Sequence, residues 1–353
     1  MWWYLKVSGI EPGETITLEV GDAPWATPER AVVSTDNNTW RHTEPGEPKG
    51  NHRVYHCRVD ATEAWFAWGP PFTTRDAEAL VDRVAREYAA ATAFELCRSR
   101  EGRPTPALRV AEGEPGERRF GVWVVARQHA WESGASWVCR GFTEWLVSDD
   151  PRAAALRRKA SVTIVPVVDV DNVALGAGGK GQSPRDHNRD WTDDPHFPAV
   201  AAMIEAITAA DAERRFHVFV DLHNPGANDK SPFFYFPPPE EVAPFGHRNY
   251  RHFFRAAQAE LVEPMRLGER PRISGPNYDK LWRQIAKNWI VANTAPYVVA
   301  TTLETPWNTP QSTTEGYQTV GRQLGLAIER YFRSDPTEPP AAPERPPISD
   351  STK

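Results

Sequence analysis

The sequence has few cysteines. Cys57, Cys97 and Cys139 are scattered over 353 residues. An odd, dispersed set of this kind builds neither a disulfide framework nor a CxxC metal knuckle, and it fits a reducing, cytoplasmic setting. No apolar run approaches the length of a membrane span. The opening MWWYLKVSGI lacks the charged head, apolar stretch and small-residue cleavage site of a secretion signal. Excess positive charge is also missing: the formal net charge is −6, which argues against a nucleic-acid surface. These absences leave a cytoplasmic protein with no membrane or nucleic-acid partner as the expectation. A first strand beginning at residue 2 leaves open whether Met1 is the true start.

What is abundant is proline (33) and tryptophan (14). Many prolines fall in residues 334–353, within DPTEPPAAPERPPISDSTK, a composition that buries no core and predicts a disordered tail. The tryptophans are spread along the chain and read as core and groove lining. Residues 1–72 carry short, partly alternating strands (TITLEV, RAVVST, RVYHCRV, AWFAW) between Gly/Pro clusters, which predicts a small antiparallel β-sandwich. The proline pair in WGPPFTT marks the junction with a second domain, residues 73–333.

In that second region a helical period in TRDAEALVDRVAREYAA precedes a hairpin pattern, FELCRS and ALRVAE. Apolar runs of strand length come next: GVWVVA, SVTIVPVV, FHVFVDL and YVVATTLE. Helical stretches alternate with them. The pattern predicts an α/β fold with a mixed, mostly parallel central sheet flanked by helices. Ligands of such sheets bind beyond the carboxyl ends of the strands.

The chemistry-bearing residues fall at those ends. His129 and Glu132 follow GVWVVA; His223 closes FHVFVDL, with Asp221 just before it; Glu304 closes YVVATTL. Two histidines and a carboxylate, with a fourth position open, form a catalytic zinc shell. HxxE alone is a weak signal, and either histidine alone reads as an ordinary hydrogen-bonded residue. The combination at the ends of two core strands favours one Zn2+ per chain, and a lone Glu ending a buried strand suits a general base.

With these residues assembled, the chain resembles the zinc carboxypeptidase family, and most closely its cytosolic carboxypeptidase-like branch. The resemblance rests on HxxE at His129 and Glu132, on Asp186 and Asn188-Arg189 in DHNRDW, on His223 in VDLHN, and on Glu304 in TLETPW. It extends over roughly residues 2 to 333, through WWYLKVSGI, VVSTDNNTW and AWFAWGPPFTT. It implies that His129, Glu132 and His223 hold zinc and that Asp186 orients His129. It also implies that Asn188 and Arg189 grip the terminal carboxylate of a peptide or protein tail, and that Glu304 serves as general base toward a water activated by zinc. The family's upstream carbonyl-polarising arginine is not matched. GGKGQSPR offers Lys180, with Arg185 as competitor. Tyr278 in GPNYDKLW falls in the region where the resemblance implies a mobile tyrosine, with Trp282 competing and plain packing as the alternative for both.

Arg283, Lys287 and Trp289 fall on KLWRQIAKNWIVAN, which reads as a charged surface helix; a basic pocket there would favour an acidic C-terminal residue. The expected activity is removal of C-terminal residues. The alternatives are a zinc-dependent amidohydrolase of acyl-amino acids or cell-wall peptides, and a non-catalytic zinc-binding scaffold.

Overall fold

A computed structural model describes residues 2–23, 26–113 and 119–337. Residues 338–353 of the expected tail lie outside the described residues. Those at its start are held: the Asn249 side chain donates to the Pro336 carbonyl, and Asp335 pairs with Arg119.

The N-terminal strands are β1 (Tyr4–Ser8), β2 (Glu14–Val20), β3 (Val32–Ser34), β4 (Arg41–His42), β5 (Glu47–Lys49), β6 (His52–Val59) and β7 (Glu63–Ala67). They form two antiparallel sheets, in the orders β1-β7-β3-β4 and β2-β6-β5. Alternation decides which face is buried. Val33, Ala64 and Phe66 from one sheet meet Cys57, Val59, Ile16 and Leu18 from the other in a small apolar core.

Helix α1 (Thr74–Glu87) comes after them. Thr73 and Asp76 close a capping box at its start, and Ala77, Leu80, Val81 and Val84 are buried at helical spacing. The hairpin β8 (Ala91–Arg98) and β9 (Pro104–Val110) comes next, then β10 (Phe120–Ala126) and α2 (Ser133–Leu146). Helix α3 (Pro151–Lys159), strand β11 (Ala160–Val165), the short α4 (Val170–Leu175) and α5 (Pro198–Ala212) lead to β12 (Val218–His223). The chain continues through β13 (Phe233–Phe236), α6 (Pro244–Glu260), β14 (Arg272–Ile273), α7 (Ala286–Asn293), β15 (Val299–Glu304) and α8 (Thr314–Tyr331).

One sheet runs β14-β13-β15-β12-β10-β11-β9-β8. Its middle four strands are parallel, whereas β9 against β11 and β13 against β15 are antiparallel. The central strands are buried along their whole length, as a sheet covered on both faces requires. Helices α2 and α8 cross on one face at very short range. A Cβ added at Gly141 would lie 2.1 Å from the Gln318 carbonyl oxygen, and one at Gly321 would lie 2.0 Å from that of Val138. Only glycine admits this approach.

Prolines and a helix break shape three segments. The strand expected to run through SVTIVPVV stops at Val165, because Pro166 has no N–H for the ladder. FFYFPPPEE begins with strand β13, paired to β15, before its prolines end the ladder. KLWRQIAKNWIVAN is not one helix. A 3-10 turn, Trp282–Gln284, ends at Ile285 in extended conformation, and α7 starts where the Asn188 side-chain oxygen accepts the Ala286 N–H. Among the described residues no helix is long and apolar enough to cross a membrane.

Candidate metal centre

Strands β10, β12 and β15 end side by side, and the site is built from the residues at and just beyond those ends. His223 and Glu304 are direct register partners on β12 and β15. From β10 the chain enters Arg127 in the left-handed region, φ +65°. That conformation is uncommon outside glycine, so the surroundings must hold it. They do: the buried guanidinium donates to the Ala130 and Phe72 carbonyls and, at 3.5 Å, to Ser136 Oγ. This fastens the short loop 128–132 back onto itself and onto the end of the N-terminal strands.

His129 and Glu132 emerge from that loop. Glu132 occupies the N-cap of α2 without capping it through its side chain. Its carboxylate instead meets His129 Nδ1 at 2.9 Å through one oxygen and His223 Nδ1 at 2.6 Å through the other. The potential ligand atoms of the three residues lie within 4.8 Å of one another, and all three side chains are buried.

The outer nitrogens are also placed. His223 Nε2 lies 2.8 Å from Asp221, and His129 Nε2 lies 3.5 Å from Asp186, which accepts the Gly181 N–H at 2.9 Å. Carboxylates behind both rings favour protons on the outer nitrogens and leave the Nδ1 lone pairs converging on Glu132. Three acceptors that converge in a buried space call for a cation, and a metal of zinc's ligand preferences fits the donor set. Burial would lower His223, yet Asp221 and Glu132 raise it well above the ordinary histidine value. Burial would raise Glu132, but His129 and His223 outweigh it and hold it well below the carboxylate range.

Glu304 is different. Burial pushes it up to about 7, against the pull of His223. One of its oxygens is buried without a hydrogen-bond partner. Lys180 reaches the same space, with Nζ 4.0 Å from Glu132. Its loop must lie close, since a Cβ at Gly179 (φ +76°) would sit 2.6 Å from Asp169 Oδ2 and 2.9 Å from the Ala130 nitrogen. Arg185 is engaged elsewhere, with Asp190 at 2.5 Å and the Asp194 carbonyl at 3.0 Å.

Asn188 Nδ2 lies 3.1 Å from His223 Nε2, and Arg189 donates through Nε and Nη2 to Asp279 at 3.0 and 2.9 Å. Tyr278, beside Asp279, packs against Tyr235 with ring centroids 5.0 Å apart. Burial and the charge of Glu304 raise its hydroxyl, while Arg189 lowers it. His187, in contrast, is a packing residue stacked on Phe197 at 3.8 Å.

Five further residues surround these groups. Lys287, expected as a surface charge, is 2% exposed, and its ammonium makes no hydrogen bond or ion pair with any described residue. It lies 5.7 Å from the Tyr235 ring centroid, and burial drops it to about 7 despite the charges of Asp221 and Glu304. The neighbouring Thr302 hydroxyl is buried without a partner and shares a sheet row with Asp221 and Tyr235. Asn224 ties the loop, α2 and β15 together: its N–H donates to Glu132, its side-chain oxygen accepts from Ala135, and its amide donates to the Thr305 carbonyl. Gln128 bridges Asp221 and Trp191. Finally, Trp68 at the end of the N-terminal strands contacts Trp131 and Trp307, at 5.3 and 4.2 Å, so the first sheets buttress both the metal loop and the exit of β15.

The sequence model of the Zinc carboxypeptidase family matches residues 77–217, which include His129, Glu132, Asp186, Asn188 and Arg189. The chain is 28% identical over 199 residues to an uncharacterized protein of Zymomonas mobilis, covering 54% of this chain and 50% of that protein. It is 31% identical over 134 residues to cytosolic carboxypeptidase 2 of Danio rerio, covering 36% of this chain and 19% of that protein. The chain thus spans half or less of the length of these relatives. Its fold is that of a metallo-carboxypeptidase from Burkholderia cenocepacia, with TM-score 0.81, 22% identity, and coverage of 94% of this chain and 89% of that one. A metallo-carboxypeptidase from Pseudomonas aeruginosa superposes with TM-score 0.74 and 20% identity, over 94% and 90% of the two chains. The family match over residues 77–217, the shared fold and the His129–Glu132–His223 triad make this chain similar to the zinc carboxypeptidases, with cytosolic carboxypeptidases among its relatives and a triad whose donor set suits zinc.

Proposed function

We propose that the protein is a zinc metallocarboxypeptidase that removes C-terminal residues from peptides or protein tails. The observation that carries this reading is the juxtaposition of Glu304, buried with a raised pKa, with the His129–Glu132–His223 triad at adjoining strand ends. When bound, zinc supplies Lewis acidity, polarising a carbonyl and making water acidic enough to serve as a nucleophile near neutral pH.

The chain's own groups divide the remaining work. Glu304, with a pKa near the working pH, takes the proton from water and returns it to the leaving amine. Lys180 supplies a positive charge toward the oxyanion; Arg185, bound to Asp190, is the weaker candidate for that role. Arg189 takes the terminal carboxylate, Asn188 helps fix the wall beside it, and Tyr278 closes over the substrate. Lys287, buried with its ammonium over the Tyr235 ring, and Thr302, whose hydroxyl is buried without a hydrogen-bond partner, favour an acidic side chain on the released residue, because a carboxylate there would satisfy both. Residues 1–72 act as a separate sandwich domain bracing the site.

Zinc content, followed by incubation with peptides varied at the last residue, tests the proposal. Release of single C-terminal residues, abolished in Glu304→Gln with zinc retained, is expected. A zinc-loaded protein that cleaves no peptide in the set would overturn it.

A further inference from the structure

We propose that Asp279 is a positioning residue that sets the Arg189 guanidinium for the substrate's terminal carboxylate, an inference that rests on Arg189 being the carboxylate anchor. A guanidinium has five N–H groups in one plane. Here Nε and Nη2 both donate to Asp279 Oδ2, at 3.0 and 2.9 Å, and Nη1 donates to the Asn188 carbonyl at 2.9 Å. The side edge of the fork is therefore occupied, and one N–H remains on each terminal nitrogen. Two such groups on the end of the fork match the two oxygens of a carboxylate.

Asp279 is itself fixed. Its other oxygen, Oδ1, accepts the Leu281 N–H at 2.7 Å, and its carbonyl accepts the Trp282 N–H at 3.2 Å. Burial would raise its pKa, but the Leu281 N–H and Arg189 together hold it below the ordinary value, so it stays ionised. The Arg189 side chain is 11% exposed, and a long arginine held only by its own backbone neighbour would lose rotamer freedom on binding substrate. Asp279 removes that freedom in advance. Because Tyr278 is the preceding residue, the same contact fastens the segment that carries the tyrosine beside the site.

The experiment uses the full-length zinc-loaded protein and a peptide whose last bond is a reduced, uncleavable amide. Its Kd is measured for wild type, Asp279→Ala, Asp279→Asn, Arg189→Ala and the double Arg189→Ala/Asp279→Ala variant, with kcat and KM on the cleavable peptide. Asp279→Ala is expected to weaken Kd and raise KM about ten-fold while changing kcat less than about three-fold, a loss of one to two charge-assisted hydrogen bonds' worth of order. Asp279→Asn, which keeps an oxygen acceptor, should fall between. In the Arg189→Ala background, loss of Asp279 should have no further effect. An unchanged Kd in Asp279→Ala, a tighter one, or an equal loss in the Arg189→Ala background would each overturn the inference. Wild-type protein that binds the reduced peptide but cleaves nothing would sink the proposed activity while leaving the Asp279 comparison readable.

Discussion

His223 and Glu304 face each other as register partners at the carboxyl ends of two parallel strands. One belongs to the cluster of converging acceptors, and the other stands beside it with an unpaired oxygen. Parallel pairing makes this possible, since both strands end on the same side of the sheet. The relationship separates two kinds of loss. Glu304→Gln keeps size and leaves the triad intact, so zinc should stay at one per chain while kcat falls on the order of 10²–10⁴-fold. Glu132→Gln should instead lower zinc affinity, because it removes the anion between two histidines. Zinc analysis beside kcat distinguishes them; zinc loss in Glu304→Gln would place that residue among the ligands.

Lys287 makes a prediction with two signs. A buried ammonium with only a ring face beside it costs several kcal/mol of desolvation, so Lys287→Met should leave Tm unchanged or raise it. The same change should lower kcat/KM for peptides ending in Glu or Asp by roughly 10–100-fold, the worth of a hydrogen bond to a charged group. Peptides ending in neutral residues should be affected far less. A drop in Tm with an unselective loss of activity would identify Lys287 as structural support only.

Much of this site is legible in the chain, and the reason is local. His223 and Glu304 close apolar runs, and His129 and Glu132 lie in the short segment that follows one, so a strand-end rule finds them without tertiary information. Lys287 is misread because Arg283 and Lys287, four residues apart, mimic a solvated helix face. The helix is in fact interrupted at Ile285, and only Arg283 reaches solvent, where it pairs with Glu241. Asp279 lies 90 residues from Arg189, a separation over which sequence pattern carries no contact information. Strand β13 is hidden by the prolines after it, although its pairing with β15 is what brings Tyr235 to the site.

Lys180 stands where the structure has a point charge and no fork. Lys180→Met should lower kcat by about 10²-fold with zinc content unchanged, as expected for loss of one charge toward a developing oxyanion. Arg185→Met should reduce stability more than kcat, because Arg185 answers the fully buried Asp190. Kinetics and thermal melts on the two variants decide between them. Equal kcat losses would mean that the loop acts as a unit.

The acid limb of stability should carry the mark of His217, far from the metal. Its Nδ1 accepts the Gly121 N–H at 3.2 Å, and its ring stacks on Tyr297 at 5.0 Å. Burial lowers it to about 4, so the folded protein keeps it neutral where the unfolded chain, with a histidine value near 6.5, takes up a proton. Between those values the unfolded state binds more protons, and stability falls as pH drops from about 6.5 toward 4. The span corresponds to on the order of 3 kcal/mol. His217→Gln, which cannot titrate, should be less stable at pH 8 through lost packing and should show a shallower decline below pH 6.5. Urea melts at pH 8, 6 and 5 measure both; parallel slopes for the two proteins would assign the acid sensitivity to other groups.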